Sequence, residues 1–201
     1  MENKEERIEL FNEGERDMMR IEMETERLTL REFTIEDVPA VQRYASDPLV
    51  VRYMIWGPNR LEETEQFVAQ AIAMQGQNPR RDYEVAVVLK SSGELIGGCG
   101  LHCSDPAQGE IGYCFHPDYW RQGYGAEAAL ALLDLGFGRL GLHRISATCR
   151  PDNEGSAGVM KKVGMTYEGR LRGHMYHKGA WHDSDQYSIL EDEYRARTSV
   201  V

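Results

Sequence analysis

The sequence predicts an α/β fold in which one mixed, mostly antiparallel sheet carries helices on both faces. Two patterns predict it. Between Tyr83 and Phe115, short apolar runs are separated by tight turns, the signature of successive hairpins. From Gly123 onward, helix-like and strand-like runs alternate, the signature of strand–helix–strand units. A third observation marks where ligand chemistry sits. The turn Tyr119-Trp120-Arg121-Gln122-Gly123-Tyr124-Gly125-Ala126-Glu127 is aromatic, basic and glycine-rich, and runs straight into a long helix former. The chain has 201 residues, enough for one domain with a sizeable buried core.

Taken in order, Thr25 to Phe33 alternates apolar and polar residues and reads as the first strand. Thr34 then stands before Ile35-Glu36-Asp37 and the apolar positions Val38, Val41 and Tyr44, a capped helix start that Ser46-Asp47-Pro48 brings to an end. Leu61 to Gln75 repeats the helical spacing through Phe67, Val68, Ala71 and Ile72. Tyr83 to Lys90 is a buried strand, Ser91-Ser92-Gly93-Glu94 a tight turn, and Leu95 to His102 the strand after it. A second turn, Ser104 to Gly109, leads into a strand over Glu110 to Phe115. After Gly125 a helix carries Leu130, Leu133, Leu135 and Phe137. His143 to Cys149 is a strand, Ser156 to Val163 a helix ended by Gly164, and Met165 to Leu171 and Gln186 to Leu190 are two final strands. Residues 1–22 hold eight acidic and four basic residues with few large apolar ones. They read as an acidic extension before a domain at 23–195 and a short tail at 196–201.

Composition narrows the chemistry. The net charge is −10, which argues against nucleic-acid binding, because that rests on a basic surface neutralising phosphates. An acidic surface attracts amine-bearing molecules instead. No apolar run approaches the roughly 20 residues that span a bilayer, and no signal-peptide core stands near Met1. Cys99, Cys103, Cys114 and Cys149 lie mostly in apolar, strand-like contexts and read as free thiols in a reducing cytoplasm. A zinc site at Cys99, His102 and Cys103 lacks a second ligand pair at the usual spacing, so no metal is expected.

The glycine-rich turn has the makings of a pyrophosphate site, since backbone N–H groups and a helix N-terminus would face one point in space. Gly123 and Gly125 allow positive φ and close approach of a ligand. Two common phosphate loops do not fit. Gly125 is followed by Ala126 and Glu127 rather than the lysine and hydroxyl residue of a Walker loop, and the third glycine of the dinucleotide pattern is absent. An ordinary helix-entry turn is the alternative.

Four blocks, in order, decide between these. They are Thr25-Glu26-Arg27-Leu28-Thr29-Leu30-Arg31; Glu110-Ile111-Gly112-Tyr113 through Pro117 and Trp120 to Ala128; Asn153-Glu154-Gly155-Ser156 with Lys162 to Met165; and Glu168-Gly169-Arg170-Leu171-Arg172 with Gly179, Trp181, Asp183 and Tyr187. Over Thr25 to Glu191 the chain resembles the GNAT acetyltransferases, most closely their ribosomal-protein N-terminal acetyltransferase (RimJ/RimL-like) branch. The resemblance implies a sheet that splays open after the strand Glu110 to Phe115, with acetyl-CoA in the opening. It implies that backbone around Phe115 and His116 pairs with the pantetheine arm. It also implies that Arg121, Gln122, Gly123, Tyr124, Gly125 and Ala126 wrap the pyrophosphate.

Acetyl transfer to an amine needs a proton acceptor, an oxyanion stabiliser and a donor for the departing thiolate. Glu110 is the candidate base, on the strand lining the opening at a position where the family often carries an acidic residue. A solvated strand-edge glutamate is the competing reading. Ser156 sits at the spacing where the branch carries a serine near the CoA sulfur, and would donate a hydrogen bond to the thiolate. Asn153 would orient the pantetheine arm and cap its helix. At the position where some members carry a glutamate base, this chain has Met175; the neighbouring His174, and His177, are lesser candidates. Tyr53, Met54 and Trp56 look suited to line an acceptor pocket. The implied partners are acetyl-CoA and an amine acceptor, either a peptide N-terminus or a small amine, with neither nucleic acid nor membrane, in a monomer or homodimer. A catalytically silent acyl-CoA-binding module is the alternative function.

Overall fold

The computed structural model describes residues 20–105 and 107–198. The acidic extension therefore lies outside the described residues up to residue 19, as do the last three residues of the tail. Eight strands form one sheet: β1 Glu22–Glu24, β2 Leu28–Glu32, β3 Asp82–Leu89, β4 Glu94–Asp105, β5 Gln108–Phe115, β6 Arg144–Cys149, β7 Thr166–His177 and β8 Ala180–Leu190. Their order is β1-β2-β3-β4-β5-β6-β8-β7, antiparallel throughout except for the β5–β6 pair. The helices are α1 Val38–Ala45, α2 Leu61–Gln75, α3 Tyr124–Asp134, α4 Glu154–Lys162 and α5 Glu191–Thr198.

The expected mixed, mostly antiparallel sheet is present, with local differences. Strand β1 and helix α5 were not legible in the sequence, the first being three residues long and the second nearly all polar. The helix expected to start at Thr34 begins as a single 3-10 turn, Ile35–Asp37, before Pro39. The last hairpin is longer than its apolar runs suggest. Strands β7 and β8 continue to His177 and Ala180 around Lys178 and Gly179, both at positive φ. Strand β7 is an edge exposed along most of its length, so burial leaves no apolar alternation there to read.

Alternation along the strands divides the core in two. Leu28, Leu30, Val85, Val87, Leu101 and Ile111 pack with Ala128, Leu132 and Met160 beneath α3 and α4. On the opposite face Phe33, Tyr44, Val51, Val68, Ala71 and Ala86 pack beneath α1 and α2. Side chains on this second face also follow two cross-strand rows: Asp82, His102 and Glu110, and then Glu84, Gly100 and Gly112. His102 lies 2.9 Å from Asp82 through Nδ1 and 3.1 Å from Glu84 through Nε2. Cys99 faces the other core, so the residues of the zinc reading point to opposite faces, and no metal-binding group is found among the described residues.

The hydrogen bond to Glu84, opposed by partial burial and helped by Asp82, raises the His102 imidazole from 6.5 to about 9. A raised folded pKa means that this stabilisation is full below about 6.5 and is lost as pH rises through about 9. The half-exposed ring keeps the effect modest. Thermal unfolding of the wild type should fall in midpoint between those two pH values, and His102→Gln should be flatter over the same window. Parallel profiles for the two proteins would show that the cluster holds no extra proton.

Candidate active site

The site is built on a fork between β5 and β6. Their parallel pairing covers only Gln108–Arg144, Gly109–Ile145 and Glu110–Ser146, although β5 continues to Phe115 and β6 to Cys149. Beyond Glu110 the two strands part. The His116 N–H donates to Ile96 O on β4, so strand alternation turns the Phe115 and Tyr113 amides away from β4, toward β6 and the opening. The Phe115 carbonyl is held by the Trp120 indole at 2.7 Å. An unpaired strand edge inside a protein is a ready partner for an extended, amide-bearing ligand.

A cavity of about 760 Å³ runs through the fork from one face of the sheet to the other. One end is walled by Leu49, Arg52, Tyr53 and Met54, the other by the α3 entry and by α4. The α3 entry differs in one respect from the sequence reading. Gly123, at φ +88°, is the N-cap, and the helix starts at Tyr124 rather than after Gly125. Gly125 is helical; its lack of a side chain lets the turn approach Val159, which a Cβ would meet at 3.3 Å. The second left-handed residue is Arg121, at φ +59°. The first helical bond runs from Glu127 N–H to Gly123 O, so the amides of Tyr124, Gly125 and Ala126 have no intrahelical acceptor. These three residues line the cavity, which fits a diphosphate.

The α3 entry is braced from the link between β1 and β2, a contact without a local sequence signal. The Glu127 carboxylate accepts from Thr25 Oγ1 at 2.6 Å, Arg27 N–H at 2.8 Å and Arg27 Nε at 2.7 Å. Arg27 also donates to Gln122 O and lies over the Tyr124 ring at 4.4 Å. Burial pushes the Glu127 carboxyl up, but the bonds from Thr25 and Arg27 outweigh it and hold the group below the usual range. Lys162 on α4 adds a cavity-lining cation 3.9 Å from where a Gly123 side chain would begin.

Across the fork, the Asn153 side chain caps α4 by accepting from Ser156 N–H at 3.1 Å. Ser156 Oγ lies 3.0 Å from the Tyr113 hydroxyl, which also donates to Ser156 O at 3.1 Å. Burial, partly offset by the Ser156 contact, raises the Tyr113 phenol and keeps it protonated. Tyr113, Phe115, Arg121, Gly123, Tyr124, Gly125, Ala126, Asn153 and Ser156 thus line one cavity. The side chains of His116 and Gln122 turn elsewhere, to Asp118 N–H and Asp118 O. Glu110 stands at the apex of the fork, outside the lining, and accepts from Thr148 Oγ1 at 3.3 Å. Tyr53 and Met54 line the cavity, whereas Trp56 packs on the second core. His174 is bonded to Ser184 Oγ and Met175 pairs with His182, both on the last hairpin.

Glu127→Ala should destabilise the fold by about 2 kcal/mol, since it removes a partly buried carboxylate with several donors. It should also weaken acetyl-CoA binding. Urea unfolding and thermal shift with and without acetyl-CoA measure the two effects, and unchanged binding would mean that the brace does not shape the turn.

Comparison with known proteins agrees with this fold. The family model described as an acetyltransferase (GNAT) domain matches residues 27–166. The chain is 38% identical over 176 residues to an uncharacterized N-acetyltransferase, YnaD, of Bacillus subtilis (strain 168), covering 85% of this chain and 97% of that one. A GNAT-family acetyltransferase crystal structure from Bacillus anthracis superposes with a TM-score of 0.77 at 36% identity, covering 86% and 99%. The same fold, at 23% identity and a TM-score of 0.73 over 84% and 97%, occurs in RimL, a ribosomal L7/L12 alpha-N-protein acetyltransferase solved in complex with coenzyme A. The chain is a member of the GNAT acetyltransferase family, an acetyl-CoA-dependent acyltransferase.

Proposed function

We propose that this enzyme moves the acetyl group of acetyl-CoA to a primary amine by direct attack through a tetrahedral intermediate. The acceptor is a protein N-terminal amine, as in the ribosomal RimJ/RimL-like branch that its sequence blocks resemble, or a small amine. The observation that carries the reading is the fork itself. It sets the Phe115 amide, the Ser156–Tyr113 hydroxyl pair and the α3 entry around one cavity, with Glu110 at its apex. In this reading the amides from Arg121 to Ala126 hold the pyrophosphate, while the Phe115 backbone and the Asn153 side chain place the pantetheine arm; the expected share of His116 is withdrawn, because its N–H is bonded to Ile96 O and its carbonyl to Tyr119 N–H. The Phe115 N–H polarises the acetyl carbonyl. Glu110 accepts the amine proton. Ser156 donates a hydrogen bond to the departing thiolate, and the Tyr113 hydroxyl follows onto Ser156 Oγ.

Direct attack is favoured over an acetyl-cysteine route by the state of the two cavity thiols. Burial raises Cys114 to about 12, and burial with Asp185 raises Cys149 to about 11. At neutral pH neither supplies an appreciable thiolate nucleophile. The free cysteines among the described residues fit a reducing compartment, for which we propose the cytoplasm.

Thiol release from acetyl-CoA, screened side by side with peptide N-termini, polyamines and aminoglycosides, tests the acceptor class. Turnover by a non-amine nucleophile alone would overturn it. With a working amine, Glu110→Gln should lower kcat by about 100-fold and remove the acidic limb of the pH profile. Ser156→Ala should lower kcat about tenfold, the effect of one lost hydrogen bond to an anion. An unchanged pH profile in Glu110→Gln would refute the base assignment.

A further inference from the structure

Glu110 and Thr148 face each other where the sheet divides. Glu110 is the last residue of β5 paired to β6, and Thr148 lies two residues past the last paired residue of β6, Ser146. Strand β6 alternates, with Ile145, Ala147 and Cys149 buried in the α3 and α4 core and Ser146 and Thr148 on the other face. Strand β5 places Glu110 and Gly112 on that same face, the face of Tyr53 and Met54. The Thr148 hydroxyl donates to Glu110 Oε1 across the fork. Thr148 lines the cavity and Glu110 does not. The carboxylate assigned to take a proton from the cavity thus stands one group behind the wall, and the hydroxyl bonded to it is part of the wall.

We propose that Thr148 carries the proton of the attacking amine to Glu110; the inference rests on the reading of Glu110 as the base. A threonine hydroxyl accepts and donates at once. The ammonium N–H donates to Thr148 Oγ1 while the Thr148 O–H donates to Glu110. As the ammonium N–H bond breaks, a new O–H bond forms at Thr148, and the original Thr148 proton moves to Glu110 Oε1. An ammonium and a carboxylate become a neutral amine, free to attack the acetyl carbonyl, and a neutral acid, with no further reactant. Charged groups flank the pair on both sides. His102 on β4 is the cross-strand neighbour of Glu110 and is tied to Asp82 and Glu84 on β3. Arg144 occupies the same face of β6 and is ion-paired to Glu168 on β7.

Thr148→Val keeps the shape and removes the relay, whereas Thr148→Ser keeps the hydroxyl. The readout is thiol release from acetyl-CoA with two probes, a short alanine-initiated peptide and spermidine, over a pH series. Acetyl-CoA affinity by calorimetry is measured alongside. Thr148→Val should lower kcat by about 10- to 100-fold and shift the acidic limb to higher pH, with acetyl-CoA affinity unchanged. Thr148→Ser should stay within about threefold of wild type. The double variant Glu110→Gln/Thr148→Val should be no slower than Glu110→Gln alone, because both act on one path. If Thr148→Val does not fold, Thr148→Ala carries the same comparison. Wild-type kcat and pH profile in Thr148→Val, beside a crippled Glu110→Gln, would overturn the relay and leave the base standing. Full activity in Glu110→Gln would overturn the base, and the relay with it. A wild type that releases thiol only with a non-amine nucleophile would overturn the amine reading on which both rest.

Discussion

Everything at the site depends on a parallel pairing that stops early. Strands β5 and β6 share only three residue pairs, and then two strand edges run on without each other. Unpaired backbone amides in a protein interior are costly unless something bonds them. Here the opening exposes the Phe115 and Tyr113 amides to a cavity instead of to another strand. The fork also fixes where the side chains go. It places Glu110 at the apex, Tyr113 and Ser156 on one side of the gap, and a route through the sheet from the α3 entry to the Tyr53 and Met54 wall.

The turn that enters α3 is held less by its glycines than by a distant link between two strands. Only Gly123 uses its freedom at positive φ, while Gly125 serves close packing against Val159. Arg27 and Thr25 reach from the link between β1 and β2 to Glu127, so the helix start is fixed by a charged contact across about 100 positions of sequence. The same arginine covers Tyr124 and bonds Gln122 O, which ties the turn to the first long strand of the sheet. The amides of α3 are therefore presented in a fixed direction, which is what makes a helix N-terminus selective for an anion rather than merely attractive to one.

The fold was legible wherever burial left a period in the sequence. Strands β3, β4 and β5 and helices α2, α3 and α4 were all anticipated, because each buries one face and repeats apolar residues accordingly. Strand β7 beyond Leu171, strand β1 and helix α5 were not, since they are exposed or short and follow no hydrophobic rhythm. Around the cavity, lining residues carried by local motifs were legible: Arg121 and Gly123 to Ala126 at the α3 entry, and the Asn153 cap with Ser156 behind it. Tyr113, Arg27, Glu127, Lys162 and Thr148 were not singled out as site residues. All but Thr148 stand inside the blocks that carry the resemblance, but their partners lie on other elements, and their immediate neighbours do not show which ones.

By itself, the sequence determined the sheet with helices on both faces, the acidic character, the helix entered through a glycine turn and the family. These follow from local periodicity, turn chemistry and motif spacing, which are properties of neighbouring residues. Only the tertiary structure decided that β5 and β6 part at Glu110, that Thr148 rather than Glu110 meets the cavity, and that Arg27 and Glu127 brace the α3 entry. Each is a contact between residues far apart in the chain, and a pattern of neighbours carries no information about which distant strand or helix will stand opposite.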